Sequence, residues 1–307
     1  RASGVVPLSP GFVIFTPWDT ASWRHGRNRR RRRKRSAPAE DNHVPTDKMD
    51  YRYIRYERAG RTAWLTLNRP EKRNALNGEM VLELRSALAE AREDTETRVV
   101  VLKASGSVFS AGADLGYLER MAANTYEENL EDSRGLMTLY RDLYRHPKLI
   151  IAQVEGDAIA GGCGIATVCD LCFATPEARL GYTEGRIGFI PALVSVFLVA
   201  RIGEGRAREL LLTARMISSD EAQRLGLITE VLPAGEIGVR VEREAAAWSD
   251  RVSGQSVALT KDLLASIRGL PLEEALDRAA DANARARETT DCQKGIRAFL
   301  GKSKIKW

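Results

Sequence analysis

Two short stretches of this 307-residue chain present backbone rather than side chains. Ser110-Ala111-Gly112-Ala113 comes shortly after the β-branched run Val99–Ala104, and Ala160-Gly161-Gly162-Cys163-Gly164 comes shortly after the apolar run Lys148–Glu155. Each reads as a buried strand, a turn of small residues and then a helix. The first turn of a helix carries N–H groups without intrahelical partners, at the positive end of the helix dipole. Small residues let a ligand oxygen approach those donors. Two such N–H groups aimed at one point would form an oxyanion hole, worth about 3–4 kcal/mol per donor in a transition state. Tight helix–sheet packing explains either turn alone; their repetition favours an anion site.

Chemistry beside such donors needs an acid or base. His25 and His43 lie near the N terminus, and His146 stands before Pro147 where a helix should end, a capping or surface position. A Ser-His or Cys-His mechanism would rest on that one residue. Ser110 lacks the flanking glycines of a nucleophile elbow. No Gly-Lys-Ser/Thr follows a glycine loop, and Gly162-Cys-Gly164-Ile-Ala-Thr167 has Thr at the third glycine of a dinucleotide fingerprint. Glu184, in Gly181–Pro191 (GYTEGRIGFIP), is the acid/base candidate. Its small, aromatic and aliphatic neighbours would desolvate the carboxylate and raise its pKa into a range useful for proton transfer.

Four cysteines are present, and Cys169-Asp-Leu-Cys172 has the spacing of half a metal site with no second ligand pair. No metal is expected, and Cys163, Cys169 and Cys172 read as small buried hydrophobes of a reduced, intracellular protein.

The elements that must position these residues alternate. Tyr51–Glu57 and Thr62–Asn68 read as strands joined at Ala59-Gly60, and NRPEKRNAL (Asn68–Leu76) as a polar loop. A helix over 79–93 turns Met80, Leu84, Leu88 and Ala91 to one face. Further helices are expected near 115–122 and over 127–145, the latter ending before Pro147. Pro191 opens another helix, and Ser218–Glu221 reads as a capping box with Gly226 closing its helix. From Glu236 onward the pattern is helical only. Strands alternating with helices, then helices alone, predict an α/β core (49–235) followed by a C-terminal helical region (236–307).

Residues 1–48 differ in kind. They hold 11 Lys/Arg and 4 Asp/Glu, leaving 36 basic and 37 acidic residues in the remainder, so the net charge of +6 belongs to the tail. Five prolines and the block Arg24–Arg35 (RHGRNRRRRRKR) read as disordered, and the first methionine is Met49, which points to an upstream extension. A transit peptide and a polybasic RNA-binding arm compete with that reading. The globular part gives no electrostatic case for nucleic acid. The longest apolar stretch, Phe189–Ala200, is interrupted by Pro191 and Ser195, so no membrane span is expected.

From Tyr51 to Trp307 the chain resembles the crotonase (enoyl-CoA hydratase/isomerase) family. NRPEKRNAL, FSAGADL, AIAGGCGIATVCD, GYTEGRIGFIP, ISSDEAQRLGLITEVLP and the terminal AFLGKSKIKW match in order and spacing. The resemblance implies a spiral of ββα units, C-terminal helices that build a homotrimer or homohexamer, a cytoplasmic or mitochondrial-matrix location, and an acyl-CoA substrate that brings its own coenzyme A, with no separate cofactor. It places the oxyanion donors on the backbone N–H groups of Ala113 and Gly161, and the acid/base on Glu184. It places coenzyme A along Arg73, Ala75, Ala111, Asp114 and Leu115, with Lys302 reaching a neighbouring subunit's phosphate.

Hydratases of the family use two glutamates, and the first falls on Gly164. Gly116 likewise stands where many relatives carry a coenzyme A lysine, and Ala192 where dienoyl isomerases carry an aspartate. One glutamate favours double-bond isomerisation; hydration requires another acid, such as Asp157, Glu119 or Glu131, in the pocket. The alternative of a different class is an RNA-binding or bifunctional protein using Arg24–Arg35.

Overall fold

The computed structural model describes residues 50–307. Expectations for residues 1–48, the basic block included, lie outside the described residues.

A hairpin of β1 (Ile54–Ala59) and β2 (Thr62–Leu67) leads through a 3₁₀ turn at Pro70–Lys72 into α1 (Gly78–Glu93). Asn77 caps α1 by accepting the Met80 N–H. β3 (Val99–Ala104) and β4 (Val108–Ser110) precede α2 (Leu115–Met121) and α3 (Tyr126–Tyr144). Thr125 and Glu128 close a reciprocal capping box at the start of α3 that the sequence pattern did not bring out. β5 (Leu149–Val154), β6 (Asp157–Ile159) and α4 (Gly161–Val168) come next, then β7 (Leu171–Ala174), β8 (Arg179–Gly181) and α5 (Ala192–Ile202). The remaining elements are α6 (Glu204–Thr213), β9 (Ile217–Ser218), α7 (Ser219–Leu225) and β10 (Glu230–Val231). Four helices end the chain: α8 (Ala234–Arg251), α9 (Gly254–Ile267), α10 (Leu272–Glu288) and α11 (Thr290–Leu300).

Two local expectations change. Pro191 is the N-cap of α5 rather than its first helical residue. Ser218 caps α7 through the Glu221 N–H, while the Glu221 carboxylate turns to Arg215 (2.6 Å) instead of closing the box.

The strands sort into two sheets. The larger runs β1-β2-β3-β5-β7-β10, antiparallel only at the hairpin; the smaller runs β4-β6-β8-β9, parallel except at β9. From β3 to β8 consecutive strands therefore alternate between sheets. β3/β4, β5/β6 and β7/β8 each give one strand to each sheet before a helix, so the chain spirals in repeated ββα units.

Both faces of the larger sheet are covered, as its continuous apolar strands require. In β3, Val100 and Leu102 point into the main core with α1, whose Met80, Leu84, Leu88 and Ala91 are all buried. Val99 and Val101 face the other way, onto Ile237, Val241 and Ala245 of α8. Leu84→Ala should cost about 3 kcal/mol through the cavity it leaves, read as an earlier thermal unfolding midpoint.

His146 is a correction: it is buried, not at the surface. Its Nε2 meets the Leu88 carbonyl (3.1 Å) and its Nδ1 accepts the Lys148 N–H (3.2 Å). Burial lowers its pKa to about 3, so it stays neutral and locks the end of α3 to α1. Cys163, Cys169 and Cys172 are buried free thiols; desolvation pushes all three up, Cys163 and Cys172 to about 12. Among the described residues no three His, Cys, Asp or Glu side chains gather as metal ligands, and no helix is long and apolar enough to cross a membrane.

Candidate active site

The three parallel strands of the smaller sheet all end at the same edge. β4 runs out at Ser110, β6 at Ile159 and β8 at Gly181. From these ends the chain continues into Ala111–Ala113, Ala160–Gly161 and Tyr182–Glu184 respectively. The carboxyl edge of parallel strands is where such folds bind ligands. The spacing seen in sequence thus becomes convergence in space.

Contacts of bare backbone fix the first two turns together. A side chain on Gly112 would sit 3.0 Å from the Ile159 carbonyl oxygen and 3.0 Å from the Ala160 Cβ, and one on Gly162 would sit 2.5 Å from the Ser110 Cβ. Ala160 itself holds φ 50°, ψ −123° as N-cap of α4, a strained conformation for a residue with a Cβ. Its N–H is tied to the Gly181 carbonyl (2.7 Å), which joins this turn to the third strand end.

The geometry leaves two donors free. Leu76 bridges to Ala113: the Leu76 N–H donates to the Gly112 carbonyl (2.6 Å) and the Asp114 N–H to the Leu76 carbonyl (2.9 Å). That pattern turns the Ala113 N–H away from Leu76. Among the described residues, neither it nor the Gly161 N–H at the start of α4 donates a hydrogen bond. Ala113 is exposed and Gly161 half-buried, so both remain reachable from solvent. Two unpaired amides at neighbouring strand ends are what an anionic oxygen requires.

Glu184 begins the 3₁₀ turn Glu184–Ile187 after β8. Tyr182 anchors the approach, its hydroxyl 2.7 Å from the Thr167 hydroxyl on α4. The Glu184 Oε2 is buried without a hydrogen-bond partner, and burial raises the carboxyl above its ordinary value. A carboxyl in this place can accept a proton only when ionised. The acid limb of the kcat–pH profile should therefore have its midpoint above the ordinary glutamate value of about 4.3. A limb at or below that value would show that another group titrates.

The coenzyme A candidates divide. Arg73, Ala75, Ala111 and Asp114 are brought together: the Ala111 N–H donates to the Arg73 carbonyl (3.0 Å), and the Leu76 bridge aligns the two segments. Arg73 is exposed and Ala75 buried. The Asp114 carboxylate is already engaged, pairing with Arg69 (2.8 Å) and capping α2, which Leu115 opens. Lys302 comes after α11, which packs against α9 and α10, and is not gathered with the others within this chain.

The second-acid candidates also fall elsewhere. Asp157 opens β6, at the opposite end from the turn, and pairs with Arg179 (2.7 Å). Glu131 pairs with Arg134 (3.7 Å) on the exposed side of α3, and Glu119 is exposed on α2.

Sequence reasoning missed three residues here. Asn74 is fully buried; its amide donates to the Ser105 and Val108 carbonyls (both 2.8 Å), and its backbone carbonyl accepts the Ser110 hydroxyl (2.8 Å). That ties the polar loop under the first turn and makes Ser110 a structural hydroxyl. Asp132, two turns before Tyr140 on α3, is half-buried with its carboxyl raised by burial. Tyr140 is buried, and its hydroxyl donates to the Gly161 carbonyl (2.9 Å). A Cβ on Gly164 would lie 2.0 Å from that hydroxyl oxygen and 2.7 Å from the Cζ. Asn74 tolerates a left-handed turn and could have been suspected from its place in NRPEKRNAL; the meeting of Tyr140 with Gly164 has no local signal.

Comparison with known proteins agrees with this architecture. Residues 57–307 match the family model described as enoyl-CoA hydratase/isomerase. A Thermus thermophilus protein provisionally named enoyl-CoA hydratase is 46% identical over 246 residues, covering 79% of this chain and 96% of its own. The short-chain-enoyl-CoA hydratase of Clostridium acetobutylicum is 33% identical over 261 residues, covering 84% and 98%. Among solved structures, an enoyl-CoA hydratase from Shewanella pealeana superposes with a TM-score of 0.79 at 29% identity, covering 84% of this chain and 97% of that one.

Proposed function

This chain belongs to the enoyl-CoA hydratase/isomerase family, and we propose that it moves a double bond in an enoyl-CoA thioester by proton transfer through Glu184. The observation that carries this reading is the filled space at Gly164. The Tyr140 phenol occupies the position from which a second carboxylate would project. Glu184 then works alone.

The thioester oxygen binds between the Ala113 and Gly161 amides. Their dipoles lower the energy of the enolate that forms when Glu184 takes a proton from C2 of a 3-enoyl-CoA. The electron pair spreads from C2 to C4. Glu184, now protonated, returns the proton to C4, and a 2-enoyl-CoA leaves. One carboxylate, one proton and no water balance the reaction. Its raised pKa suits both halves, since the group must take a proton and give it back. Coenzyme A lies along Arg73, Ala75 and Ala111, beside Asp114 and Leu115.

Hydration is the second reading, favoured by the hydratase names of the relatives. There Glu184 would activate water, and Asp132 on α3, half-buried with its carboxyl raised by burial, is a further candidate acid. Incubation with 2-enoyl-CoA and with 3-enoyl-CoA in deuterated water separates the two. The proposal expects conversion of the 3-enoyl to the 2-enoyl isomer as the faster reaction. Dominant formation of the 3-hydroxyacyl product from the 2-enoyl substrate would contradict it.

We further infer a homotrimer or homohexamer, in the cytoplasm or the mitochondrial matrix. α10 and α11 bury no residue within the chain and expose Leu272, Leu276, Ile296, Phe299 and Leu300. Apolar faces of that kind belong at interfaces. Light scattering on the purified protein should give the mass of three or six chains, which would also bring Lys302 to a neighbour; a monomer would contradict the assignment.

A further inference from the structure

Tyr140 does more than fill space. Its hydroxyl reaches over the first turn of α4, donating to the Gly161 carbonyl at 2.9 Å. It lies 3.8 Å from where a Gly161 Cβ would stand, and in the volume a side chain on Gly164 would need. The ring is held edge-on by Phe197 of α5 (centroids 6.1 Å, 86°), so the hydroxyl has little freedom. The Gly161 carbonyl and the Gly161 amide belong to successive peptide units of one helical turn. With the Gly161 torsions set by the helix, a partner on the carbonyl restrains the direction of the amide.

Ala160, which precedes that amide, is strained, and strain of this kind persists only where surrounding contacts hold it. The Gly181 carbonyl holds it from one side. Resting on the proton-transfer reading above, we infer that Tyr140 is a positioning residue for the Gly161 amide: its hydroxyl, seated in the space of an absent residue-164 side chain, aims that donor at the thioester oxygen. Burial and the nearby Glu184 carboxylate keep the phenol protonated, so the hydroxyl remains a donor throughout turnover.

The test is Tyr140→Phe in the full chain, with Gly164→Ala as a second variant that displaces the hydroxyl without altering the tyrosine. The readouts are kcat and KM for 3-enoyl-CoA, the unfolding midpoint, and the infrared stretch of a ¹³C-labelled thioester carbonyl bound to the enzyme. In the parent enzyme the carbonyl stretch should shift to lower frequency on binding. Both variants should show a smaller shift than the parent and lose about tenfold in kcat, on the scale of one hydrogen bond, with KM little changed. A folded Tyr140→Phe protein with the parent's carbonyl frequency and kcat overturns the inference and leaves the proton-transfer reading standing. No shift in the parent enzyme would defeat that reading itself, and this inference with it.

Discussion

Replacing Glu184 with glutamine is expected to lower turnover of the enoyl-CoA substrate by about 10³-fold, within the 10²–10⁴ that positioned acid–base groups contribute. The amide keeps the shape of the carboxyl and loses its ability to carry a proton. Stability should move the other way. The folded-state pKa of Glu184 is raised by burial, so whatever it contributes to stability is present while it is protonated and is lost as pH rises through that pKa. At neutral pH the ionised group costs stability, and the variant should unfold no earlier than the parent. Steady-state kinetics with a thermal melt checks both. Near-parent turnover would remove Glu184 from the mechanism; a large fall in melting temperature would make the kinetic loss uninformative and point to a structural role.

Gly161→Pro is the second large effect. Proline removes the N–H that we assign to the thioester oxygen and puts its ring carbon there instead. Loss of one such donor costs 10²–10³-fold in kcat in comparable sites, and the ring adds obstruction, so activity should fall below about one per cent of the parent. Residue 161 is the first residue of α4, where proline is tolerated because that N–H has no helical partner. Circular dichroism should therefore report a folded protein. A folded, active variant would show that the oxygen is held elsewhere.

The sequence carried the repeating architecture because its signals are local. The β-branched and apolar runs mark β3 and β5 and the small-residue turns mark the starts of the following helices, while the apolar face of α1 buries the four residues its period selects. The three-residue strands β4 and β6, which come between run and turn, are too short to leave a period. The edge that collects Ala113, Gly161 and Glu184 comes from parallel pairing of β4, β6 and β8, once strands alternate between two sheets. The features that stayed hidden depend on distant chain segments. His146 reads as a surface residue beside Pro147, and only the packing of α3 on α1 buries it. Gly164 reads as an empty place, whereas Tyr140, 24 positions earlier, fills it from another helix. Asp114 reads as part of a binding loop, but Arg69 and the start of α2 claim its carboxylate. Tertiary contacts of this sort leave no period or motif behind.

The most direct measurement is a crystal structure of the enzyme with a slowly reacting acyl-CoA. The account predicts the thioester oxygen about 2.7–3.1 Å from both the Ala113 and Gly161 nitrogens, with the Glu184 carboxylate against C2. A thioester oxygen bonded to neither nitrogen, or a Glu184 side chain directed away from the acyl chain, would contradict it.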